Sequence, residues 1–310
     1  MELTTGEERG MTFKRTLLAA AVTGAVLATG TAHATNGYFS HGYGVKAKGM
    51  GGGGVAFANN SAMVIATNPA GLASVDNQIT GDLSLFRPER GYDQSGPMGD
   101  ASADSDSESF LIPGLAAAYR LTDNDTVGIA MYGNGGMNTD FSADADTIVP
   151  GQGPGSVNEG GTYDAGAAGV NLEQLFITPT YARQFMDGDL SIGVSAVIVR
   201  QKFRAKGLGN FAGFSADQPN LTNNGHDVSW GYGGKLGVTY KPTDMLTLGA
   251  SYQSKMSMDE FDDYAGLFAE GGDFDIPSTW TVGLAADITD SVTLTFDYQR
   301  INYWVSGLNG

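Results

Sequence analysis

The amino-acid sequence predicts an all-β protein of the transmembrane antiparallel β-barrel type. Three observations predict this fold. The 310-residue chain begins with an export signal, most of the remainder alternates between apolar and other residues, and the links between the alternating segments are long and short in turn. Alternation indicates a sheet with one apolar face. Short turns on one side of a sheet and long loops on the other are typical of outer-membrane barrels.

Residues 1–34 are predicted to be a signal peptide. Lys14 and Arg15 form its charged region, an apolar stretch too short to cross a bilayer follows them, and Ala32–Ala34 has the small-x-small pattern of a cleavage site. Because three acidic residues precede Met11, which is unusual before such a signal, Met11 is the expected true start. A buried helix is the alternative interpretation of the apolar stretch. The rest of the chain is expected to be exported by a bacterium.

Composition excludes several classes of protein. Acidic residues outnumber basic ones by 34 to 17, which gives a net charge of −17 and argues against nucleic-acid binding. The chain has no cysteine and therefore no disulfide or thiolate site. A mean hydropathy of −0.14, with one long apolar run, excludes a bundle of transmembrane helices. A hydrophobic share of 41% excludes a disordered chain.

Nine strands are predicted from the alternation. They are expected near 78–88, 109–121, 126–133, 173–186, 190–204, 227–240, 245–257, 276–287 and 292–304. The short links between them contain turn-forming Asp, Asn, Gly and Pro residues, whereas the long links are rich in Gly, Asn and acidic residues and suit water. We expect the short turns in the periplasm and the long loops outside the cell. The strands of a secreted β-sandwich would also alternate between apolar and polar residues, but a sandwich would not explain why long and short links follow each other in turn.

The strand at 190–204 indicates what the two faces of the sheet contact. Its even positions are apolar up to Ile198 and basic from Arg200 onward, which fits a lipid face that ends at lipopolysaccharide phosphates. Its odd positions, including Ser191 and Val199, are small or apolar and are expected to face the lumen. Because a channel for ions lines its wall with charge, this strand favours a tunnel for apolar molecules, unless a bulge exchanges its faces.

Several motifs resemble those of the FadL/OmpP1/TodX outer-membrane transport family. In the N-terminal region they are Gly37-Tyr38-Phe39, Lys48-Gly49-Met50-Gly51-Gly52 and Asn68-Pro69-Ala70-Gly71. Further along the chain they are 132–138 (YGNGGMN), 173–176 (EQLF) and 266–277 (GLFAEGGDFDIP). Each motif is weak by itself, whereas their occurrence together and in order is specific.

The resemblance implies a 14-stranded monomeric barrel in the outer membrane of a Gram-negative bacterium, with residues 35–76 inside the lumen as a hatch and 77–310 as the barrel. It implies passive uptake of long-chain fatty acids or other hydrophobic compounds, including aromatic hydrocarbons, with hatch gating, lateral release through the wall and no cofactor. Outer-membrane lipid and lipopolysaccharide are the implied surroundings. Because nine strands are fewer than fourteen and bacterial barrels have an even number, we expect a truncated C-terminus.

The hatch, one strand and one loop supply the candidate site residues. A fatty-acid carboxylate requires a cation or a hydrogen-bond donor in an apolar pocket. The candidate cations are Lys46, Lys48 and Lys235, with Arg183 as a further one. The apolar candidates are Phe39, Met50, Phe57, Leu267 and Phe268, of which the last two are expected to pack onto the barrel mouth as an entry site. The candidate gating residues are Gly51, Gly52, Gly53, Asn68, Pro69 and Ala70.

Each of these assignments has a plainer alternative. The cations are also suited to structural ion pairs, the glycines to a flexible linker, and Asn68-Pro69-Ala70 to an ordinary turn. A structural or adhesive barrel without transport is the main alternative function. A hydrolase built on His226 is a remote one, since the chain has neither GxSxG nor HExxH. The acidic run at 259–263 fits no calcium-loop motif, so no metal site is expected.

Overall fold

The computed structural model describes residues 35–96, 99–150 and 156–303, so the predicted signal peptide lies outside the described residues. The strands of the described part are β1 Thr35–Asn36, β2 Phe39–Ser40, β3 Gln78–Phe86, β4 Gly91–Gly96, β5 Gly99–Asp104, β6 Phe110–Arg120, β7 Asp125–Phe141, β8 Ala168–Phe185, β9 Leu190–Lys206, β10 Asp227–Thr243, β11 Leu246–Gln253, β12 Ser257–Met258, β13 Thr279–Thr289 and β14 Val292–Ile301. The two short α-helices are α1 Gly44–Gly49 and α2 Val64–Thr67. The 3-10 helices are Pro69–Ser74, Met186–Gly188, Gly209–Phe214, Gln218–Asn220, Asp262–Tyr264 and Ala269–Gly271.

Nine long strands form one antiparallel sheet, which confirms the predicted fold class. Each strand pairs with the next in the order β3-β6-β7-β8-β9-β10-β11-β13-β14. The short strand β2 adds to β7, and β12 adds to β10. On this path β3 and β14 each pair with one neighbour within the described ranges. No helix of the described residues is long and apolar enough to cross a membrane.

Two regions of the sheet differ from the sequence prediction. Strands β7 and β8 extend to Phe141 and back to Ala168, beyond the expected ends at 133 and 173. The added segments are rich in glycine and polar residues, so they pair through the backbone without an apolar alternation. For the same reason the hairpin of β4 and β5 was predicted as part of a long loop.

The two faces of the sheet follow the predicted parity. On β9, Ile192 and Val194 are 46% and 48% exposed, whereas Ser191 and Val197 are 3% and 1% exposed. Leu248 and Leu294 also lie on the exposed face, as large apolar residues do on most strands. The register shifts lie elsewhere, between Gly133 and Gly135 in β7, between Tyr240 and Thr243 in β10 and between Asp287 and Thr289 in β13, whereas the pairings of β9 show none.

Aromatic residues on the exposed face lie near both ends of the strands. Tyr119, Tyr181 and Tyr240 lie toward the short turns, and Trp230, Tyr232, Tyr252 and Tyr298 lie toward the long loops. Tyr232 and Tyr240 are eight residues apart on β10, so they are separated by about 26 Å along the strand. Because barrel strands are tilted, the separation of the two residues along the membrane normal is about 20 Å. This distance is close to the height of the apolar band between the aromatic girdles of outer-membrane barrels.

The N-terminal segment lies against the buried face of many strands at once. The 3-10 helix Pro69–Ser74 contacts β7, β8, β9 and β10. Val55 lies against Gly249 and Gly283, and Gly53 lies against Thr295 on the last strand. Lys48 lies near Asp82 on the first wall strand. Because one short segment reaches both ends of the strand order, the sheet is curled around it as a half-barrel.

Candidate functional site

The Asn68-Pro69-Ala70 motif begins a 3-10 helix and fixes it to the wall. Asn68 has extended backbone angles (φ −144°, ψ 111°), as expected before a proline, and its side chain accepts a 3.0 Å hydrogen bond from the Ala70 N–H. The same side chain donates to the carbonyl oxygens of Val55 (2.6 Å) and Val238 (3.1 Å). One asparagine therefore joins two parts of the N-terminal segment to strand β10, and this segment, residues 35–76, is called the hatch below after its predicted role.

Wall glycines allow this close approach. A Cβ atom at Gly237 would overlap the Asn68 side chain, and one at Gly193 would overlap the Pro69 backbone. A Cβ atom at Gly249 would likewise overlap the Val55 carbonyl. Glycine inside a strand often marks a place where another backbone approaches. The glycines of β9, β10 and β11 therefore form the surface on which the hatch lies, and this surface is called the seat of the hatch.

Two small adjoining cavities lie within the hatch and between the hatch and the wall. The hatch cavity, with a volume of about 10 Å³, has room for about one water molecule and is lined by residues of the hatch itself, including Lys46 and Phe57. The wall cavity, also with a volume of about 10 Å³, lies between the hatch and strands β3, β6 and β7. The wall cavity is lined by Ser40, Gly42, Tyr43, Gly44, Lys48, Met63, Asp82, Ser84, Ile112, Pro113, Gly114, Tyr132 and Gly133. Tyr43, Gly44 and Met63 line both cavities and separate them.

The wall cavity carries one cation and one anion that do not touch each other. Lys48 and Asp82 both line it, and within the described residues they form no ion pair within 4 Å. Partial burial lowers the pKa of Lys48, and the Asp82 charge opposes that shift. The Oδ2 atom of Asp82 is buried and has no hydrogen-bond partner among the described groups. Such an atom is costly unless a ligand or water supplies a donor.

The sheet is split beside this cavity. Pairing of β6 with β7 runs from Arg120 only as far as Gly114, opposite Tyr132. Beyond that point β6 pairs with β3 alone and β7 pairs with β8. Pro113 stands at the split and has no N–H to donate. The hatch strand β2 occupies the free edge of β7, where the Gly136 N–H donates to the Tyr38 carbonyl at 2.9 Å.

A chain of buried amides links the hatch to an outer loop. The Tyr43 hydroxyl donates to Asn134 at the β7 bulge (2.8 Å). Asn134 donates to Gln174 (3.0 Å), Gln174 donates to Gln201 (3.0 Å), and Gln201 donates to the Phe274 carbonyl (2.9 Å). Sequence reasoning missed these residues, because they come from three strands and only the strand register brings them together.

The predicted site residues fall into separate places. Lys46 donates to the carbonyls of Asn59 and Asn60 within the hatch. Lys235 is buried in the lumen and donates to the Ala66 carbonyl at the end of α2, where the carbonyls carry partial negative charge. Met50 ends α1, and the left-handed turn of Gly51 and Gly52 follows it, next to Gly53.

The apolar loop residues join an aromatic cluster at the long-loop end. Phe268 packs against Phe203, Phe261 and Phe274, with ring centroids 4.8, 5.8 and 4.9 Å apart. Leu267 is partly buried against the same core. Phe39 is buried beside Tyr38 and lies 6.1 Å from the Tyr303 ring. These residues do not line either cavity.

Arg183, the further candidate cation, does not lie on the buried face of the sheet. Arg183 lies on the exposed face of β8, where Tyr181 and Phe185 share its parity, and it pairs with Asp125 at 3.1 Å. His226 has its pKa lowered by burial and by two nearby cations, and its Nε2 atom lies 3.4 Å from the Asn171 amide nitrogen. No group of three or more His, Asp or Glu side chains in the described part of the chain is arranged to hold a metal ion.

A curled antiparallel sheet with an apolar exterior, aromatic girdles and an internal segment defines a β-barrel channel of the outer-membrane class. The chain matches the family model of the outer membrane protein transport protein (OMPP1/FadL/TodX) over residues 25–304. The chain therefore belongs to this family, whose members are transport proteins of the outer membrane.

Solved structures share the fold at low sequence identity. The toluene transporter TodX of P. putida is 20% identical, with 87% of this chain and 72% of that chain covered and a TM-score of 0.64. The toluene transporter TbuX of Ralstonia pickettii is 21% identical, with coverages of 84% and 72% and a TM-score of 0.61. A FadL homologue of Pseudomonas aeruginosa is 17% identical, with coverages of 86% and 70% and a TM-score of 0.55. A comparison with curated proteins gave no match.

Proposed function

We propose that this protein is a passive channel for hydrophobic compounds across the outer membrane, acting as a monomer without a cofactor. The observation that carries the proposal is the wall cavity, because it lies beside the split between β6 and β7. A molecule that reaches this cavity is next to a place where β6 and β7 are not paired with each other and where the hatch strand β2 covers the free edge of β7. Lateral release at this split would deliver an apolar molecule toward lipid without passage through water.

The hatch supplies the gate in this proposal. The contact between Gly44 and Met63 separates the two cavities, and a Cβ atom at Gly44 would lie 3.2 Å from the Met63 side chain. A small shift of α1 relative to α2 would join the cavities. The turn that follows α1 contains Gly51, Gly52 and Gly53, which change backbone conformation at low steric cost. Residues 35–76 act as the hatch, and the wall forms the channel.

Entry takes place at the aromatic cluster of the long-loop end. Leu267 and Phe268 lie there with partly exposed surface, and the cluster extends to Tyr38 of the hatch, whose ring lies 5.8 Å from that of Phe274. Apolar compounds adsorb weakly to such a surface before they move inward. Lipopolysaccharide and membrane lipid surround the exposed face of the wall.

The substrate class is aromatic hydrocarbons or fatty acids. Two toluene transporters share the fold, which supports the aromatic class. A FadL homologue also shares it, so long-chain fatty acids remain within the proposal.

Uptake by intact cells tests the proposed function. Cells that lack their own uptake channel are given the chain or an empty vector, and accumulation of labelled toluene and labelled oleate is followed over time. We expect saturable, chain-dependent accumulation of at least one of them. If neither is taken up while the protein is folded in the outer membrane and promotes adherence to host cells, the structural or adhesive alternative replaces transport.

A further inference from the structure

We propose that the outer surface of strand β9 carries a binding site for one lipopolysaccharide molecule, whose phosphate groups are held by Arg200, Lys202 and Arg204. These three residues, all on the outward face of the strand, are called the cationic stripe. The inference goes beyond the proposed function, because it concerns a defined site on the outside of the wall and not the path of the transported compound. The level of the stripe in the membrane, its missing carboxylate partners and the apolar surface beside it carry the inference.

The strand register places the cationic stripe at the membrane surface. Arg200 pairs with Trp230 of β10, which belongs to the aromatic girdle at the long-loop end. Such girdles lie at the boundary between the hydrocarbon core and the headgroups. Lys202 and Arg204 follow on the same face of β9, so they lie about 7 and 13 Å beyond Arg200 along the strand. The stripe therefore begins at the girdle and extends into the layer of headgroup phosphates on the side of the long loops.

The two arginines of the stripe lack carboxylate partners. Within the described ranges, neither Arg200 nor Arg204 forms an ion pair within 4 Å. Lys202 lies 4.0 Å from one carboxylate, that of the exposed Glu173 on β8. Burial lowers the pKa of the neighbouring His226, and the charges of Lys202 and Arg204 lower it further. The local charge is thus positive, and the guanidinium groups are available to an anion from outside the protein.

The cationic stripe is an exception in an acidic protein. The chain has 34 acidic and 17 basic residues, and the long loops contain acidic runs such as 259–263. An acidic surface repels a phosphorylated lipid unless divalent cations bridge the two. Guanidinium groups bind phosphate directly through paired hydrogen bonds. Binding of lipopolysaccharide at the stripe should therefore not require divalent cations.

The apolar surface beside the stripe fits the acyl chains of the same ligand. Ile192, Val194 and Ile198 precede the stripe on the outward face of β9, and all three are exposed. Val228 pairs with Lys202 from β10 and is also exposed. Lipopolysaccharide is favoured over a phospholipid because its lipid A headgroup is phosphorylated at both ends, whereas phosphatidylglycerol carries a single phosphate. A row of three cations matches the more highly charged lipid.

Binding of lipid A to the purified full chain in neutral detergent tests the site. The lipids added are bisphosphorylated lipid A, its dephosphorylated form and phosphatidylglycerol, each with EDTA to remove divalent cations. Native mass spectrometry counts the lipid molecules bound to each chain. We expect one bisphosphorylated lipid A molecule to bind about tenfold more tightly than either of the other lipids.

A double variant of the arginines separates the stripe from general lipid contact. Arg200→Gln with Arg204→Gln should weaken binding of bisphosphorylated lipid A about tenfold and leave the dephosphorylated form unchanged. Because neither arginine has an ion-pair partner in the described part of the chain, the variant should fold. The matched control is Arg183→Gln with Lys241→Gln, which removes the same charge near the short turns. This control should bind lipid A as the wild type does.

The outcomes decide the site without reference to transport. Equal binding of phosphorylated and dephosphorylated lipid A by the wild type would overturn the site, and so would an equal change in the two double variants. Tighter binding of phosphatidylglycerol would overturn the choice of lipopolysaccharide. The comparison of lipids uses the wild type alone, so it decides even if a variant does not fold. A failure of toluene and oleate uptake would count against the proposed function and leave the lipid site standing.

Discussion

The hatch meets the wall in two different ways on its two sides. Against β9, β10 and β11 the wall presents Gly193, Gly237 and Gly249, and the hatch backbone lies directly on them. Against β3, β6 and β7 the wall presents side chains such as Asp82 and Tyr132, and a cavity remains. The hatch backbone therefore lies directly on the wall over β9, β10 and β11 and again at Gly135 of β7, and the cavity remains beside this last contact.

The hydrogen bonds follow the same division. On the seated side, Asp297 of β14 accepts from the N–H groups of Gly54 (2.8 Å) and Val55 (3.0 Å), and Asn68 bonds to the Val238 carbonyl. On the cavity side, the Tyr43 hydroxyl, just before α1, donates to Asn134, the Gly136 N–H donates to the Tyr38 carbonyl, and Lys48 and Asp82 are not paired within 4 Å in the described part of the chain. Opening of the hatch is therefore expected to begin on the cavity side.

The largest expected effect tests which face of the sheet contacts lipid and which face contacts the hatch. Leu248 and Gly249 are neighbours on β11, and the first points outward while the second lies under Val55. Leu248→Arg should cost about 2–4 kcal/mol of folding free energy if Leu248 faces the middle of the bilayer. Urea titration in lipid vesicles measures this loss. An unchanged unfolding midpoint would mean that the face assigned to lipid is wrong.

A smaller effect tests the seat of the hatch. Gly237→Val would overlap the Asn68 side chain and approach Pro69, so it should destabilise the seated hatch by about 1–3 kcal/mol, as overpacking does. The expected result is faster proteolytic cleavage within residues 35–76.

Gly234→Val on the same strand is the matched control for this change. A Cβ atom at Gly234 would meet only the Ser195 carbonyl, at 3.7 Å, so this variant should be cleaved at the wild-type rate. Equal cleavage of both variants would show that the wall glycines do not hold the hatch.

The sequence predicts the wall well because lipid favours an apolar side chain at every outward position, and this rule produces the alternation along each strand. The parity of β9 and the nine strands follow from that rule. The same rule places Lys235 inside, opposite in parity to Leu236. Arg183 was misplaced because the parity of its own strand, visible in Tyr181 and Phe185, was not applied to it.

The site is less predictable because it depends on long-range contacts. Nothing near Asp82 in sequence marks its buried oxygen, which depends on the position of the hatch. Likewise, Gln174 and Gln201 come together only through the register of β8 with β9. Glycines such as Gly237 look like weak strand residues until the hatch is seen to lie on them.

The central claim is that apolar molecules pass through the wall cavity, and filling that cavity tests it most directly. Ser84 lines the cavity, and its neighbour Leu83 points outward from the same strand. The measurement is the initial rate of labelled toluene uptake by cells with equal amounts of folded Ser84→Phe or Leu83→Phe protein. Ser84→Phe should lower the rate about tenfold, because a ring fills the small cavity and closes the path, while Leu83→Phe should keep the wild-type rate. Equal rates in the two variants would contradict the account.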